Sequence, residues 1–367
     1  MYSFLQDYTL DELLLQKFEK LVGMRKKFWF ILFFIILIII IISITIFDKQ
    51  KFYNIESFDK KNFIDVLHWR ITRKDANWPK YVKNNPYNFD NKKNCKKDIC
   101  ITYINHSTVL IEHKNLKILT DPIWSKTAFK YDWAGPKRIR EPGIDFSSLP
   151  NINLVLISHN HYDHMDLKTI KKIEEKFHPL FVVGLENKPY LQKIGVKNIV
   201  ELGWWDSVNF KGTNIFYVPA QHFSARGLFD YNSALWGGFI INTKLGNIYF
   251  AGDTAMAKHF KLINKKFSPI IISILPIGTY EPRNFMKSSH INPDEAVKAF
   301  IDLKSKWAIG VHFGTFSNLS DEKHSQPIND LKNALKKHKI PHNRFFIIDF
   351  GQTCKFNRSS FTCNKPL

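Results

Sequence analysis

The sequence predicts an α/β fold with metal ligands gathered at one sheet edge, and three observations lead there. Short apolar runs of strand length end in histidine or aspartate. Leu154, Val155, Leu156 and Ile157 enter residues 158–166 (SHNHYDHMD) directly. Ile215, Phe216, Tyr217 and Val218 lead to His222, Ile248, Tyr249, Phe250 and Ala251 to Asp253, and Ala308, Ile309, Gly310 and Val311 to His312. Helical spacing follows capping residues: Asp166 precedes Leu167, Ile170, Ile173 and Phe177, and Asn292 precedes a helix opening at Pro293. The side chains at the ends of these runs, five imidazoles and two carboxylates, have the composition of a two-metal hydrolytic centre.

In chain order, 1–27 is an N-terminal segment. Thr9 and Glu12 have capping-box spacing, and Leu10, Leu13, Leu14, Phe18 and Leu21 fall on one helical side. Met24, with Arg25, Lys26 and Lys27, reads equally well as the start of a signal anchor. Residues 28–47 carry no charge, and only Ser43 and Thr45 are polar. A run of about twenty apolar residues is the length of a transmembrane helix. It is too uniformly apolar for a core helix, and no small-x-small site after Phe47 marks a cleaved signal. The basic cluster on its N-terminal side predicts a cytoplasmic N-terminus and an extracytoplasmic catalytic domain, with the bilayer as partner. A lead-in (48–95), a catalytic domain (96–353) and a C-terminal tail (354–367) follow.

The formal charge of +20 rests on 53 Lys and Arg scattered along the chain. No basic-aromatic motif concentrates them, so a nucleic-acid partner is not expected. Cys95, Cys100, Cys354 and Cys363 lie outside any metal-ligand spacing and are expected as free structural thiols, although an extracytoplasmic domain would permit disulfides.

The ligand spacing has a physical meaning. Residues two apart in an extended turn point the same way, so His159 and His161 can grip one cation, while Asp163 and His164 reach a second. Imidazole with some carboxylate suits zinc best, then iron or manganese, at two ions per chain. Ser107, Thr108 and Ser158 lack a nucleophile-elbow frame, which leaves a metal-bound hydroxide as the better nucleophile. Asp121 is expected to support the metal loop. His68, His113, His178, His259, His324, His338 and His342 are expected as surface or capping residues.

The HxHxDH block with a later His, Asp and His is similar to the metallo-β-lactamase superfamily. Residues 103–111 (YINHSTVLI), 119–123 (LTDPI), 135–138 (GPKR), 219–222 (PAQH), 235–238 (LWGG), 251–254 (AGDT), 280–286 (YEPRNFM) and 312–316 (HFGTF) resemble its branch of phospholipases D that hydrolyse N-acyl-phosphatidylethanolamine. The resemblance runs from about 52 to about 351 and implies a four-layer αβ/βα sandwich behind the membrane helix. It implies one zinc on His159, His161 and His222, another on Asp163, His164 and His312, and Asp253 bridging. Asp163 and His290 would be catalytic, with Tyr162 and His290 at the substrate phosphate. The activity implied is a membrane-anchored phospholipase D releasing phosphatidate and an N-acylethanolamine. A zinc hydrolase of a small lactone or soluble phosphodiester is the alternative, and a non-catalytic membrane-anchored binding protein is the alternative of another class.

Overall fold

The computed structural model of the protein describes residues 10–47, 51–57, 61, 63–73, 76–89, 95, 97–227, 229–357 and 359–366. The chain divides into two units, Met1–Gln50 and Lys51–Leu367. The first holds a single helix, α1 (Leu10–Phe47).

Helix α1 contains the run expected to cross a bilayer, but among the described residues no helix is long and apolar enough to cross a membrane. Toward the N-terminus the helix continues through Lys17, Lys20, Arg25, Lys26 and Lys27 rather than further apolar residues. This corrects the expected transmembrane helix over 28–47. With it fall the bilayer as partner and the single-pass placement with an extracytoplasmic catalytic domain. The Thr9–Glu12 capping box and the leucine stripe lie outside the described side chains.

The second unit opens with α2 (Phe63–Thr72) and then builds two sheets. The first sheet takes β1 (Ile99–Asn105), β2 (Thr108–His113), β3 (Leu116–Thr120), β4 (Leu154–Ile157), β5 (Leu180–Gly184) and β6 (Ile199–Leu202), with α3 (Leu167–Phe177) and α4 (Lys188–Gln192) in its crossovers. The second sheet takes β7 (Ser207–Phe210), β8 (Thr213–Val218), β9 (Gly238–Thr243), β10 (Gly246–Phe250), β11 (Ile270–Pro276), β12 (Trp307–Val311) and β13 (Phe345–Phe346). Its intervening helices are α5 (His259–Phe267), α6 (Arg283–Met286), α7 (Pro293–Asp302) and α8 (Gln326–Lys337). Strands β14 (Thr353–Phe356) and β15 (Phe361–Cys363) return to the first sheet, whose order is β15-β14-β1-β2-β3-β4-β5-β6 against β13-β12-β11-β10-β9-β8-β7.

Strand alternation assigns the layers. In β4, Leu154 and Leu156 join the large core shared with the second sheet, while Val155 and Ile157 join the outer cluster with Ile170, Ile173 and Leu191 of α3 and α4. A strand covered on both faces reads as an unbroken apolar run, as this one does. On the far side, Phe260, Ile263, Val297, Phe300 and Leu331 bring α5, α7 and α8 onto the second sheet. The result is the expected αβ/βα sandwich. Both predicted caps form. The Asp166 carboxylate accepts from the Lys168 amide, and Asn292 makes a capping box with Glu295.

Two expectations change here. The cysteines are not free: Cys95 bonds Cys100, and Cys354 bonds Cys363 across the β14–β15 hairpin, where the two Cα atoms face each other 4.0 Å apart. His259 is not a surface residue. It opens α5 fully buried, with Nε2 3.2 Å from Thr254 Oγ1.

Candidate metal centre

All seven predicted ligands converge between the sheets. Four come from the turn after β4, and His222, Asp253 and His312 come from the segments that follow β8, β10 and β12. The loops must approach closely for this. Gly252 has φ +61°, and a Cβ there would lie 2.5 Å from the Ser158 side chain. Gly278 lets the His312 carbonyl pass where a Cβ would sit 2.2 Å from it. His312 itself has φ +63°, a conformation that costs a non-glycine residue about 1–3 kcal/mol and is typical of functional positions.

The donors form two groups. In the first, His159 Nε2 is 2.8 Å from His161 Nδ1, which is 3.2 Å from His222 Nε2. In the second, His164 Nε2 and His312 Nε2 are 3.2 Å apart, and Asp253 lies 3.3 Å and 3.1 Å from them. Asp163 Oδ2 completes it at 3.4 Å and 3.6 Å from the same nitrogens. A tetrahedron of donors about 2.0–2.1 Å from zinc has edges of about 3.3 Å, and the second group's separations of 3.1–3.6 Å lie around that value. Asp253 Oδ2 also lies 3.9 Å from His222 Nε2, which puts this carboxylate between the groups.

The outer contacts fix which nitrogen faces inward. Asp121 Oδ2 accepts from His164 Nδ1 at 2.7 Å and from Ser158 Oγ at 2.6 Å, as its expected supporting role requires. His222 Nδ1 donates to the Ser289 carbonyl, while Ser158 Oγ meets His159 Nδ1 and Thr279 Oγ1 meets His312 Nδ1. Tethering one ring nitrogen and turning the other inward is how protein metal ligands are oriented.

Burial holds His159 and His161 well below the usual histidine pKa and His222 down to about 4, so all three offer neutral lone pairs. Burial would also lower His164 and His312. The facing carboxylates override it, raising His164 well above its usual value and His312 to about 9. Burial would raise Asp163 and Asp253, yet the neighbouring imidazoles hold both well below the carboxylate range. The carboxylates and imidazoles of the second group thus favour each other's charged forms, and a bound dication would take over that role.

A cavity of about 250 Å³ opens onto the centre. His161, Asp163, Asp253, His290, Ser288 and Lys61 supply its polar lining, and Phe223, Tyr231, Phe285, Met286 and Trp69 supply apolar walls. His290 points its unpartnered Nδ1 to within 3.7 Å of Asp253 Oδ2, and burial lowers its pKa to about 3. Tyr162 is turned elsewhere. Its hydroxyl donates to the Arg226 carbonyl at 2.6 Å, and its ring lies under the Arg226 guanidinium. Helix α2 roofs the cavity. Trp69 stacks on Phe285 at 5.1 Å and donates to Asp321, to which Arg73 is also paired.

Three residues that matter here were not expected from sequence. His106, buried in the β1–β2 turn, places Nε2 2.9 Å from Asp163 Oδ2, and burial lowers its pKa to about 3. Asn54 of the lead-in brackets His222, donating to its carbonyl and accepting from its amide. Arg226 donates to the carbonyls of Asn160 and Met165, fixing both ends of the ligand turn. His106 falls in a quoted motif and next to a strand end, a signal that could have exposed it. Asn54 and Arg226 have no local pattern.

The sandwich and the paired donor groups define a zinc-dependent hydrolase with a binuclear centre, for which iron or manganese are the alternative metals. The chain belongs to the beta-lactamase superfamily, whose domain it matches over residues 117–313. It is 35% identical to N-acyl-phosphatidylethanolamine-hydrolyzing phospholipase D 1 of Caenorhabditis elegans, over 68% of this chain and 74% of that protein. It is 36% identical to the mitochondrial N-acyl-phosphatidylethanolamine-hydrolyzing phospholipase D of Saccharomyces cerevisiae over 63% of this chain, spanning half of the yeast protein. In fold it is similar to the isothiocyanate hydrolase from Delia radicum gut bacteria, with a TM-score of 0.58 and 20% identity over 70% of this chain and 99% of that one.

Proposed function

We propose that the chain is a binuclear-zinc phosphodiesterase acting on a dispersed phosphodiester, rather than the membrane-anchored phospholipase expected from sequence. Among the described residues no helix is long and apolar enough to cross a membrane, so the anchored reading is not carried further. The observation that carries the reading is the cavity itself. At about 250 Å³ it is below the ~300–1,000 Å³ of pockets that enclose drug-sized ligands. That is room for a phosphodiester and its nearest substituents. The named relatives suggest the headgroup, so a glycerophosphodiester of an N-acylethanolamine is the first substrate class to try.

In this reading His159, His161 and His222 would hold one ion and Asp163, His164 and His312 the other, with Asp253 near both groups. When bound, the ions would supply a hydroxide near neutral pH and offset phosphoryl charge. Asp163, on the cavity wall, is placed to accept the proton of the attacking oxygen. His290 presents Nδ1 to the same space, where it can hydrogen-bond a phosphoryl oxygen or the departing alkoxide. Lys61 adds a positive charge to the cavity lining. Tyr162 acts indirectly, through Arg226, on the shape of the ligand turn.

The test is a panel of soluble phosphodiesters and small lactones given to the zinc-loaded full-length protein in water enriched in oxygen-18. Label in the phosphate monoester and none in the released alcohol is expected. Lactone opening without phosphodiester turnover would leave a zinc hydrolase of different substrate class.

A further inference from the structure

We propose that His106 is the positioning residue of the second metal group: it donates from Nε2 to Asp163 Oδ2 and thereby sets which carboxylate oxygen meets the ion. The inference rests on the binuclear reading above and extends it to a residue outside the seven ligands. Its basis is how completely the ring is held. The His106 amide donates to Thr315 Oγ1 at 2.9 Å, and its carbonyl accepts from the His312 amide at 2.8 Å and from the Tyr103 hydroxyl at 3.0 Å. The backbone is left-handed, at φ +45°. The ring lies 3.9 Å from the His312 ring and edge-on to Phe316 at 5.3 Å. The backbone contacts fix the residue, and the ring is packed against His312 and Phe316 with Nε2 toward Asp163.

His106 could also be read as an eighth ligand, because its nitrogen lies within 4.8 Å of donors on Asp163, His164 and His312. The distances favour the donor role. The separation of 2.9 Å from Asp163 Oδ2 is that of a hydrogen bond to a carboxylate. Asp163 Oδ2 stands at 3.4 Å and 3.6 Å from His164 and His312, so the same oxygen faces the ion. It has two lone pairs, one for each partner. Without the His106 donor the carboxylate is free to rotate, and the second group loses a fixed oxygen.

Two substitutions separate the readings. His106→Phe keeps a ring against His312 but removes the donor, whereas His106→Gln restores an N–H at similar reach. Zinc titration of the full-length protein against a chromophoric chelator resolves the two affinities. With cobalt in place of zinc, the visible spectrum reports the coordination of the second ion. For His106→Phe we expect the weaker-held ion to lose roughly 10–100-fold in affinity with a changed cobalt spectrum, the other ion unaffected. His106→Gln should recover both. Unchanged affinities and spectrum in His106→Phe would overturn the proposal, as would a Gln variant as impaired as Phe, which is the result for a direct ligand. A wild-type protein that takes up fewer than two ions would instead overturn the binuclear reading.

Discussion

Among single residues, Asp253 has the most to lose. Among the described residues it is the one carboxylate paired with both donor groups, at 3.1–3.3 Å from His312 and His164 and 3.9 Å from His222. Asp253→Ala should therefore release most of both ions, measured by metal analysis after desalting; full occupancy would remove its bridging role. His290 should behave differently, because its Nδ1 has no hydrogen-bond partner and faces the cavity. His290→Ala is expected to keep two ions and lose about 10²–10³-fold in kcat, the scale for removing one transition-state hydrogen-bond donor. The seven ligands were legible in the sequence because each follows an apolar strand, so a polar residue there has to be explained. His106 follows β1 in the same way, but a single imidazole ahead of Ser107 and Thr108 looks like an ordinary turn. Asn54 was illegible, since it reaches His222 across 168 positions of sequence.

At the level of elements, the predicted caps were readable because capping is local, confined to four residues of chain. Asp166 does more than cap α3. Its Oδ2 also accepts from the Thr169 hydroxyl and the Ser125 amide, tying the end of the ligand turn to a neighbouring loop. Asp166→Ala should cost at least the ~1 kcal/mol of a lost cap, and thermal unfolding at matched metal loading should show it. A melting temperature equal to wild type would make these contacts incidental. Helix α2 was absorbed into the lead-in at the sequence level, because ten residues with mixed polarity give no strong period. Its place over the cavity comes from Trp69 and Arg73, which grip Phe285 and Asp321 more than two hundred residues away. Trp69→Ala is expected to raise KM several-fold with little change in metal content; an unchanged KM would separate α2 from substrate binding. The run 28–47 failed for the opposite reason. Composition alone suggested a span, and among the described residues no helix is long and apolar enough to cross a membrane.

For the whole molecule, the sandwich buries a dense set of imidazoles, and this makes the stability of the metal-free protein depend on pH in a definite way. His106, His159, His161, His222, His259 and His290 all have pKa values lowered by burial. Below about pH 6.5 the unfolded chain takes up protons these groups refuse, so stability falls on acidification. His164 and His312 have the opposite sign. Their raised pKa values, to about 9 for His312, stabilise fully below 6.5, and that contribution is lost as pH rises toward 9. Six groups oppose two, so the acid limb should be the steeper. Chelator-treated protein should melt highest near pH 6.5 and lower on both sides. Zinc would displace protons favoured on His164 and His312, so each ion at a free concentration 100 times its Kd should add about 2.7 kcal/mol and flatten the alkaline limb. Proton release on zinc binding at pH 7.5, seen as a calorimetric enthalpy that varies with buffer, follows from the same protons. Metal-free stability that keeps rising from pH 6.5 to 9, with no proton release, would mean that His164 and His312 are neutral before the metal arrives.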